Sequence, residues 1–241
     1  MAAGTVDRFF EFQQDAKIPP LWLQRHTGPI SEIVSSAKSC DELLGELELA
    51  RPGSSVVDAG CGFGVMARYL SQLVGSSGRY LGFDSHGPSI RWAQRFLATT
   101  EPRFRFVLSG VERPWPVPDS DADLVLAKSL FTHLTEEKSR HAFEEIARVL
   151  KPAGRALVNA FLFEEDRPPD LLLPFPGAGS RIRWRWKHRP QAMIAYERVY
   201  FSEMIAKAGL AIEVFRPGFW PRADRVHAQD VLVLSSVPRS G

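Results

Sequence analysis

One stretch restricts the fold of this chain more than any other. The apolar run Ser55-Val56-Val57 ends on Asp58 and passes at once into Gly60, Gly62 and Gly64; Met66, Leu70 and Leu73 then recur at helical spacing. Glycines at such a junction allow a tight strand-to-helix turn and let a ligand approach the backbone closely. The alternation continues downstream. Tyr80-Leu81-Gly82-Phe83 reads as a second strand ending at Asp84, and Pro88 is placed as a first-turn proline ahead of Ile90, Ala93 and Leu97 on one helical face. Phe104–Leu108 and Leu124–Ala127 read as strands three and four. Thr135 is the expected N-cap of a helix whose inward face is Ala142, Phe143, Ile146, Val149 and Leu150. Lys151-Pro152-Ala153-Gly154 stops that helix, and a fifth strand is expected to start at Ala156-Leu157-Val158. Apolar strands alternating with helices imply a parallel sheet covered on both faces, with ligands bound outside the carboxyl ends of its strands.

The glycine turn discriminates between ligand classes. A phosphate-cradling loop of the Gly-Lys-Ser/Thr type is absent, and the dinucleotide fingerprint counted from Gly60 would need glycine where Val65 stands. A carboxylate at Asp58 suits a cationic group, such as an amino group, better than a pyrophosphate. Asp84 follows Gly64 by twenty positions at a strand end, where a carboxylate can accept both hydrogen bonds of a ribose diol.

Composition narrows the class further. The 241 residues are 44% hydrophobic and 24% charged, ordinary globular proportions that argue against disorder. Two cysteines, Cys40 and Cys61, exclude a disulfide scaffold and lack metal-ligand spacing; no metal is expected. Residues 1–15 carry no apolar stretch of the signal-peptide kind, and no apolar run approaches the ~20 residues that span a bilayer. The expected location is cytoplasmic. Four regions are expected: a helical N-terminal cap at 1–53, broken at Ile18-Pro19-Pro20 and Thr27-Gly28-Pro29; a cofactor-binding core at 54–163; a lid or acceptor-site insertion at 164–200; and a C-terminal helix with the last core strands at 201–241.

The string Val56-Val57-Asp58-Ala59-Gly60-Cys61-Gly62-Phe63-Gly64 resembles the first motif of class I S-adenosylmethionine-dependent methyltransferases. Asp84 matches their acidic second motif. Pro118–Val125 is similar to their approach to strand four, and Leu150-Lys151-Pro152-Ala153-Gly154-Arg155 resembles their turn before strand five. Ser129–Leu134 and Gln229–Val233 are similar to segments of a bacterial subgroup, some of whose members methylate sugars or glycolipids. The resemblance implies a Rossmann-like α/β fold, with a seven-stranded, mostly parallel sheet and helices on both faces. It also implies S-adenosyl-L-methionine as cofactor and direct displacement of its methyl group. The implied cofactor residues are Asp58 for the methionyl amino end; Gly60, Cys61, Gly62 and Gly64 in the turn; Asp84 and Ser85 at the ribose; and Lys128 at the end of strand four. Ala122 and Ala153 depart from the family's usual Phe and Gly. Val111 stands where an acid for the adenine amino group is common, with Glu112 one residue on.

On the acceptor side His133, shortly after strand four, is the candidate general base for a hydroxyl acceptor. His86 is expected beside the cofactor, His141 on a solvated helix face and His188 in the variable region. Residues 181–189 alternate strictly: Arg181, Arg183, Arg185, Lys187 and Arg189 on one side, Ile182, Trp184, Trp186 and His188 on the other. This predicts a strand with a packed aromatic face and an exposed cationic face. Without those five cations the chain carries 25 basic against 28 acidic residues, a net of −3, so the overall +2 hides one concentrated basic segment. Arg183, Arg185, Trp184 and Trp22 are the candidate acceptor contacts; Trp186 and Trp220 also lie outside the core, and Leu171–Pro176 is a candidate lid. The expected acceptor is a small molecule or a sugar- or glycolipid-like compound, methylated on oxygen and acidic if the basic strand selects it. The alternatives are nitrogen or carbon methylation in secondary metabolism, or RNA modification. Nucleic acid is the disfavoured partner, and a homodimer is admitted.

Overall fold

The computed structural model describes residues 19–27, 30–99, 103–164, 181–186, 188–218 and 229–237. Strands β1 (Ser55–Ala59), β2 (Arg79–Asp84), β3 (Phe104–Leu108) and β4 (Ala122–Ala127) run parallel in the order β3-β2-β1-β4. The helices are α1 (Leu21–Thr27), α2 (Ile30–Glu46), α3 (Val65–Val74), α4 (Gly87–Phe96), α5 (Glu136–Val149) and α6 (Arg198–Lys207).

Period-two alternation divides the central strands between two cores. Val57, Ala59, Val125 and Ala127 face α5 and α6, where the Phe131 and Phe143 rings stack at 4.4 Å and both meet Phe201 edge-on. Val56, Leu124 and Leu126 face α2, α3 and α4 through Leu44, Leu70 and Ile90. Thr135 occupies the N-cap position of α5 as expected, yet its hydroxyl makes no capping bond. Glu136 and Glu137 in the first turn complement the helix dipole instead.

Strand β5 (Leu150–Phe163) begins six residues earlier than the sequence suggests. The Lys-Pro-Ala-Gly stretch stays in the sheet as an irregularity opposite Ala122–Leu124. Two contacts hold it there. A Cβ on Gly154 would lie 2.7 Å from the Ala122 carbonyl oxygen, so only glycine allows that approach. Lys151 Nζ donates to Asp123 at 2.7 Å, and the same carboxylate accepts the Ser55 N–H at 2.8 Å.

The sheet forks along β5. Arg155–Ala160 pair antiparallel with β9 (Asp230–Ser236), which pairs with β8 (Leu210–Arg216). Phe161–Phe163 pair parallel with β7 (Ile194–Glu197), which pairs with β6 (Ile182–Trp184). The buried Asp230 carboxylate sits at the fork and accepts the N–H groups of Leu162 and Gly218, at 2.8 and 2.9 Å. Among the described residues nine strands are therefore present where seven were expected. The two additional strands are β6 and β7, from the segment after β5.

The basic segment departs from its predicted form. The strand lasts only from Ile182 to Trp184, because the 3₁₀ turn Pro190–Ala192 returns the chain to β7. The cations are not simply solvated. The guanidinium of Arg183 lies 4.0 Å from the Phe163 ring centroid, that of Arg185 4.8 Å from Trp186, and that of Arg181 4.9 Å from Tyr200. Flat guanidinium groups stack on aromatic faces, which period two does not anticipate. Trp186, expected on the packed face, is 47% exposed. Lys187, Trp220 and Leu171–Pro176 lie outside the described residues.

Candidate active site

The carboxyl ends of β1, β2 and β4 open into a cavity of about 510 Å³. Its floor is the glycine turn. Gly60, Gly62 and Gly64 have φ of +76°, +55° and +81°, the left-handed region that side chains disfavour. Four amides of this turn are used internally. Gly60 and Cys61 N–H donate to the Phe83 carbonyl, at 2.9 and 3.1 Å, and Gly64 N–H donates to the Cys61 carbonyl at 2.9 Å. Gly62 N–H donates to Asp84 Oδ2 at 2.9 Å. The turn therefore presents no outward row of N–H groups of the kind that binds pyrophosphate. This agrees with the exclusion drawn from the sequence.

Asp84 is held at both oxygens, since Oδ1 accepts the His86 N–H at 2.7 Å. Each oxygen retains a second lone pair, so the group is fixed in direction and still able to accept from a diol. His86 does not line the cavity. It is the N-cap residue of α4, and its Nδ1 shares a 2.8 Å hydrogen bond with Ser89 Oγ. Asp58 is 2% exposed and accepts the Tyr80 hydroxyl at 2.6 Å. Burial lifts its carboxyl to about 6, against the lowering influence of Tyr80 and of the Lys128 ammonium. Lys128 is itself pushed down by burial and drawn back up by Cys40 and Asp58. Cys61 is buried so completely that its thiol stays protonated well beyond neutral pH; it lines the cavity as a small apolar group.

Two loops form the walls. Trp115 pins the first, packing at a tilt against Phe83 with ring centroids 5.0 Å apart, donating Nε1–H to the Val111 carbonyl at 3.3 Å and its own N–H to the buried Glu145 at 2.6 Å. This presents Val111 and Glu112 to the cavity, with Glu112 3.7 Å from the Lys138 ammonium. The second loop follows β4. Ser129 has φ +56°, and the Thr132 hydroxyl closes onto its carbonyl at 2.7 Å. Ile194 N–H of β7 donates to the Thr132 carbonyl at 2.7 Å and ties the loop to the inserted strands. His133 stands exposed at the rim, its Nδ1 3.1 Å from the carbonyl oxygen of Gln191.

Among the expected cofactor residues, Asp58, Gly60, Cys61, Gly62, Asp84, Ser85, Val111, Glu112 and Lys128 line this one cavity, together with His133. Gly64 does not. A Cβ there would lie 2.7 Å from Leu97 Cδ1 and 2.8 Å from Phe106 Cε1, so its contact is with the core behind the turn. The expected acceptor contacts also lie off the lining. Trp22 is 61% exposed on α1, and Arg183, Arg185 and Trp184 lie on or just beyond β6. The cavity also contains Ser129 and Leu130, quoted in a motif but not expected as site residues, and Lys138 and Gln191, which the sequence did not single out. Gln191 is 58 residues from His133 and no local pattern joins them.

The donor set fits S-adenosylmethionine. A buried carboxylate suits its ammonium, a fixed carboxylate its ribose diol, and a lysine its carboxylate. Gly60 is a cradle, since a Cβ there would already touch Leu130 at 3.0 Å. A family model described as a methyltransferase domain matches residues 56–154. The chain is 36% identical over 158 residues to a ribosomal RNA large subunit methyltransferase E of Desulfatibacillum aliphaticivorans, covering 58% of this chain and 72% of that protein. It is 29% identical over 117 residues to a 2-phytyl-1,4-naphtoquinone methyltransferase of Synechococcus elongatus, covering 45% and 46%. Against several curated relatives the chain spans only 35–46% of their length. A solved structure of the Burkholderia thailandensis 1,6-didemethyltoxoflavin-N1-methyltransferase, with S-adenosylhomocysteine bound, has the same fold; its TM-score is 0.63 at 18% identity, covering 98% of this chain and 92% of that one. Among the described residues no helix is long and apolar enough to cross a membrane. With the forked Rossmann-like sheet, the paired aspartates on one cavity and these matches together, the chain belongs to the class I S-adenosylmethionine-dependent methyltransferases.

Proposed function

We propose that this enzyme methylates a hydroxyl oxygen of a small, polyol- or glycan-like acceptor, with His133 as the general base. In this reading Asp58 receives the ammonium of the cofactor's methionyl end, Lys128 its carboxylate, Asp84 the ribose diol, and the Val111–Glu112 loop the adenine edge. Bound there, the cofactor supplies a methyl group already activated on a sulfonium. The chain's own residues then align the acceptor, exclude water and remove a proton.

The observation that carries the base role is the His133–Gln191 contact. A carbonyl oxygen can only accept, so Nδ1 carries the hydrogen of the neutral ring and Nε2 is left as the basic nitrogen. That is the tautomer a base facing a hydroxyl needs. The 54–163 core would hold the cofactor, and the 164–200 segment, through Gln191, would orient the base. An acidic acceptor draws no support from Arg183 and Arg185, whose guanidinium groups sit on Phe163 and Trp186.

The test is transfer of labelled methyl from S-adenosylmethionine into an extract of the source organism, with mass spectrometry of the product. It is run for wild type, His133→Ala and His133→Gln. The expected result is an O-methylated small product and a 10²–10⁴-fold lower rate in both variants, in the range a positioned base contributes. Label on RNA, or on nitrogen or carbon of a product formed equally well by the variants, would overturn the reading.

A further inference from the structure

We propose that Tyr80 is a positioning residue for cofactor binding: its phenol O–H holds the Asp58 carboxylate, ionised and fixed in direction, for the ammonium of the methionyl end. This rests on the reading of Asp58 given above.

Tyr80 is the second residue of β2, in register with Phe104 of β3 on one side and Val56 of β1 on the other. It is 1% exposed, and its ring lies 5.0 Å from Phe104 and 5.6 Å from Phe106. Those rings fix the phenol's direction. Gly82 leaves its path clear, since a Cβ there would lie 2.8 Å from the Tyr80 oxygen and 2.9 Å from Cys61 Sγ. The hydroxyl then meets Asp58 Oδ2 at 2.6 Å, a charge-assisted donor length. A tyrosine serving only as core filler would not need a glycine two residues on, nor end on a buried carboxylate of the cavity floor.

The other groups that act on this carboxylate come from four places: Lys128 after β4, Asp84 at the end of β2, Cys61 in the glycine turn and Cys40 of α2. Burial holds the Tyr80 phenol and both thiols far above neutrality, so Tyr80 is a donor throughout the accessible range. Removing its O–H takes away a bond to the charged form of Asp58, and a charge-assisted bond is worth about one pH unit or more in that equilibrium.

The test compares two ligands in calorimetry between pH 5.5 and 8: S-adenosylhomocysteine, which carries the ammonium, and 5′-methylthioadenosine, which lacks the whole amino-acid end. In Tyr80→Phe the ring packing is kept. Binding of 5′-methylthioadenosine should match wild type at every pH, which also reports that the variant is folded. Binding of S-adenosylhomocysteine should weaken by roughly fivefold at pH 6 and about twofold at pH 7, with its acid limb moved up by about one unit. Equal weakening of both ligands, or an unchanged S-adenosylhomocysteine profile, overturns the role of Tyr80. Asp58→Asn separates the two levels. If that variant binds S-adenosylhomocysteine like wild type, the reading of Asp58 fails. If it weakens binding and Tyr80→Phe does not, the inference about Tyr80 alone fails.

Discussion

Gly64→Ala should damage the fold and spare the cofactor site. The residue sits at φ +81°, where a side chain costs about 1–2 kcal/mol. The new methyl would start 2.7 Å from Leu97 Cδ1 and 2.8 Å from Phe106 Cε1. Both neighbours are 5% exposed and enclosed by the α3–α4 core, so relief requires shifts that cost about 1–3 kcal/mol. The sum is roughly 2–5 kcal/mol. A loss of about 3 kcal/mol lowers Tm by roughly 6–12 °C in a chain of this size. Urea and thermal unfolding measure it, and calorimetry at low temperature measures cofactor affinity in the folded protein. Gly60→Ala is the counterpart. It shares the backbone cost of a positive φ, +76°, but its methyl would meet Leu130, at 3.0 Å, inside the cavity, so it should lower stability less than Gly64→Ala and weaken cofactor binding more. A Gly64→Ala protein that unfolds like wild type, or that loses affinity without losing stability, would refute this division of labour within the turn.

Other substitutions probe the remaining parts. Asp84→Asn keeps the shape but turns an N–H donor toward a backbone N–H of Gly62 or His86; cofactor affinity should fall about tenfold or more by titration. Asp58 holds its proton up to about 6, above its ordinary 3.8, so the folded state binds more protons than the unfolded one between those values. Stability of the cofactor-free protein therefore falls as pH rises through that window, and Asp58→Asn should gain on the order of 2–3 kcal/mol at pH 7 in urea unfolding, with no gain near pH 3. Arg148 donates to Glu145, Asp119 and the Val117 carbonyl, and Arg148→Ala leaves the buried Glu145 without its cation; a loss of about 2–3 kcal/mol is expected in the same assay. Arg183→Glu with Arg185→Glu should leave cofactor affinity unchanged while lowering stability by about 1–2 kcal/mol, as two cation–π contacts are lost.

The parallel core was legible because its signals are local. Strand runs end on Asp58, Asp84 and Ala127, and the helical faces of Ile90–Leu97 and Ala142–Val149 were read within a few residues of the observed elements. Legibility failed where long-range contacts decide. Gly154 against the Ala122 carbonyl, and Lys151 reaching Asp123, keep an apparent helix stop inside β5. The fork at Asp230 depends on a carboxylate 68 residues from the amide it binds. The strict alternation of 181–189 suggested a long strand, yet stacking of flat guanidinium groups on Phe163 and Tyr200 has no two-residue period. In the site, Asp58 and Asp84 were visible as strand-end acids. What fixes them was not: Tyr80 lies 22 residues from Asp58, as Gly62 does from Asp84, and each bond exists only because β2 pairs with β1 in this register.

On the proposed function, the cavity at the ends of β1, β2 and β4 binds S-adenosylmethionine through Asp58 and Asp84. Calorimetric titration of cofactor-free wild type, Asp58→Asn and Asp84→Asn tests it most directly. One site per chain is expected in wild type, with at least tenfold weaker binding in each folded variant. Wild-type affinity in both variants, or no binding to folded wild type, would contradict it.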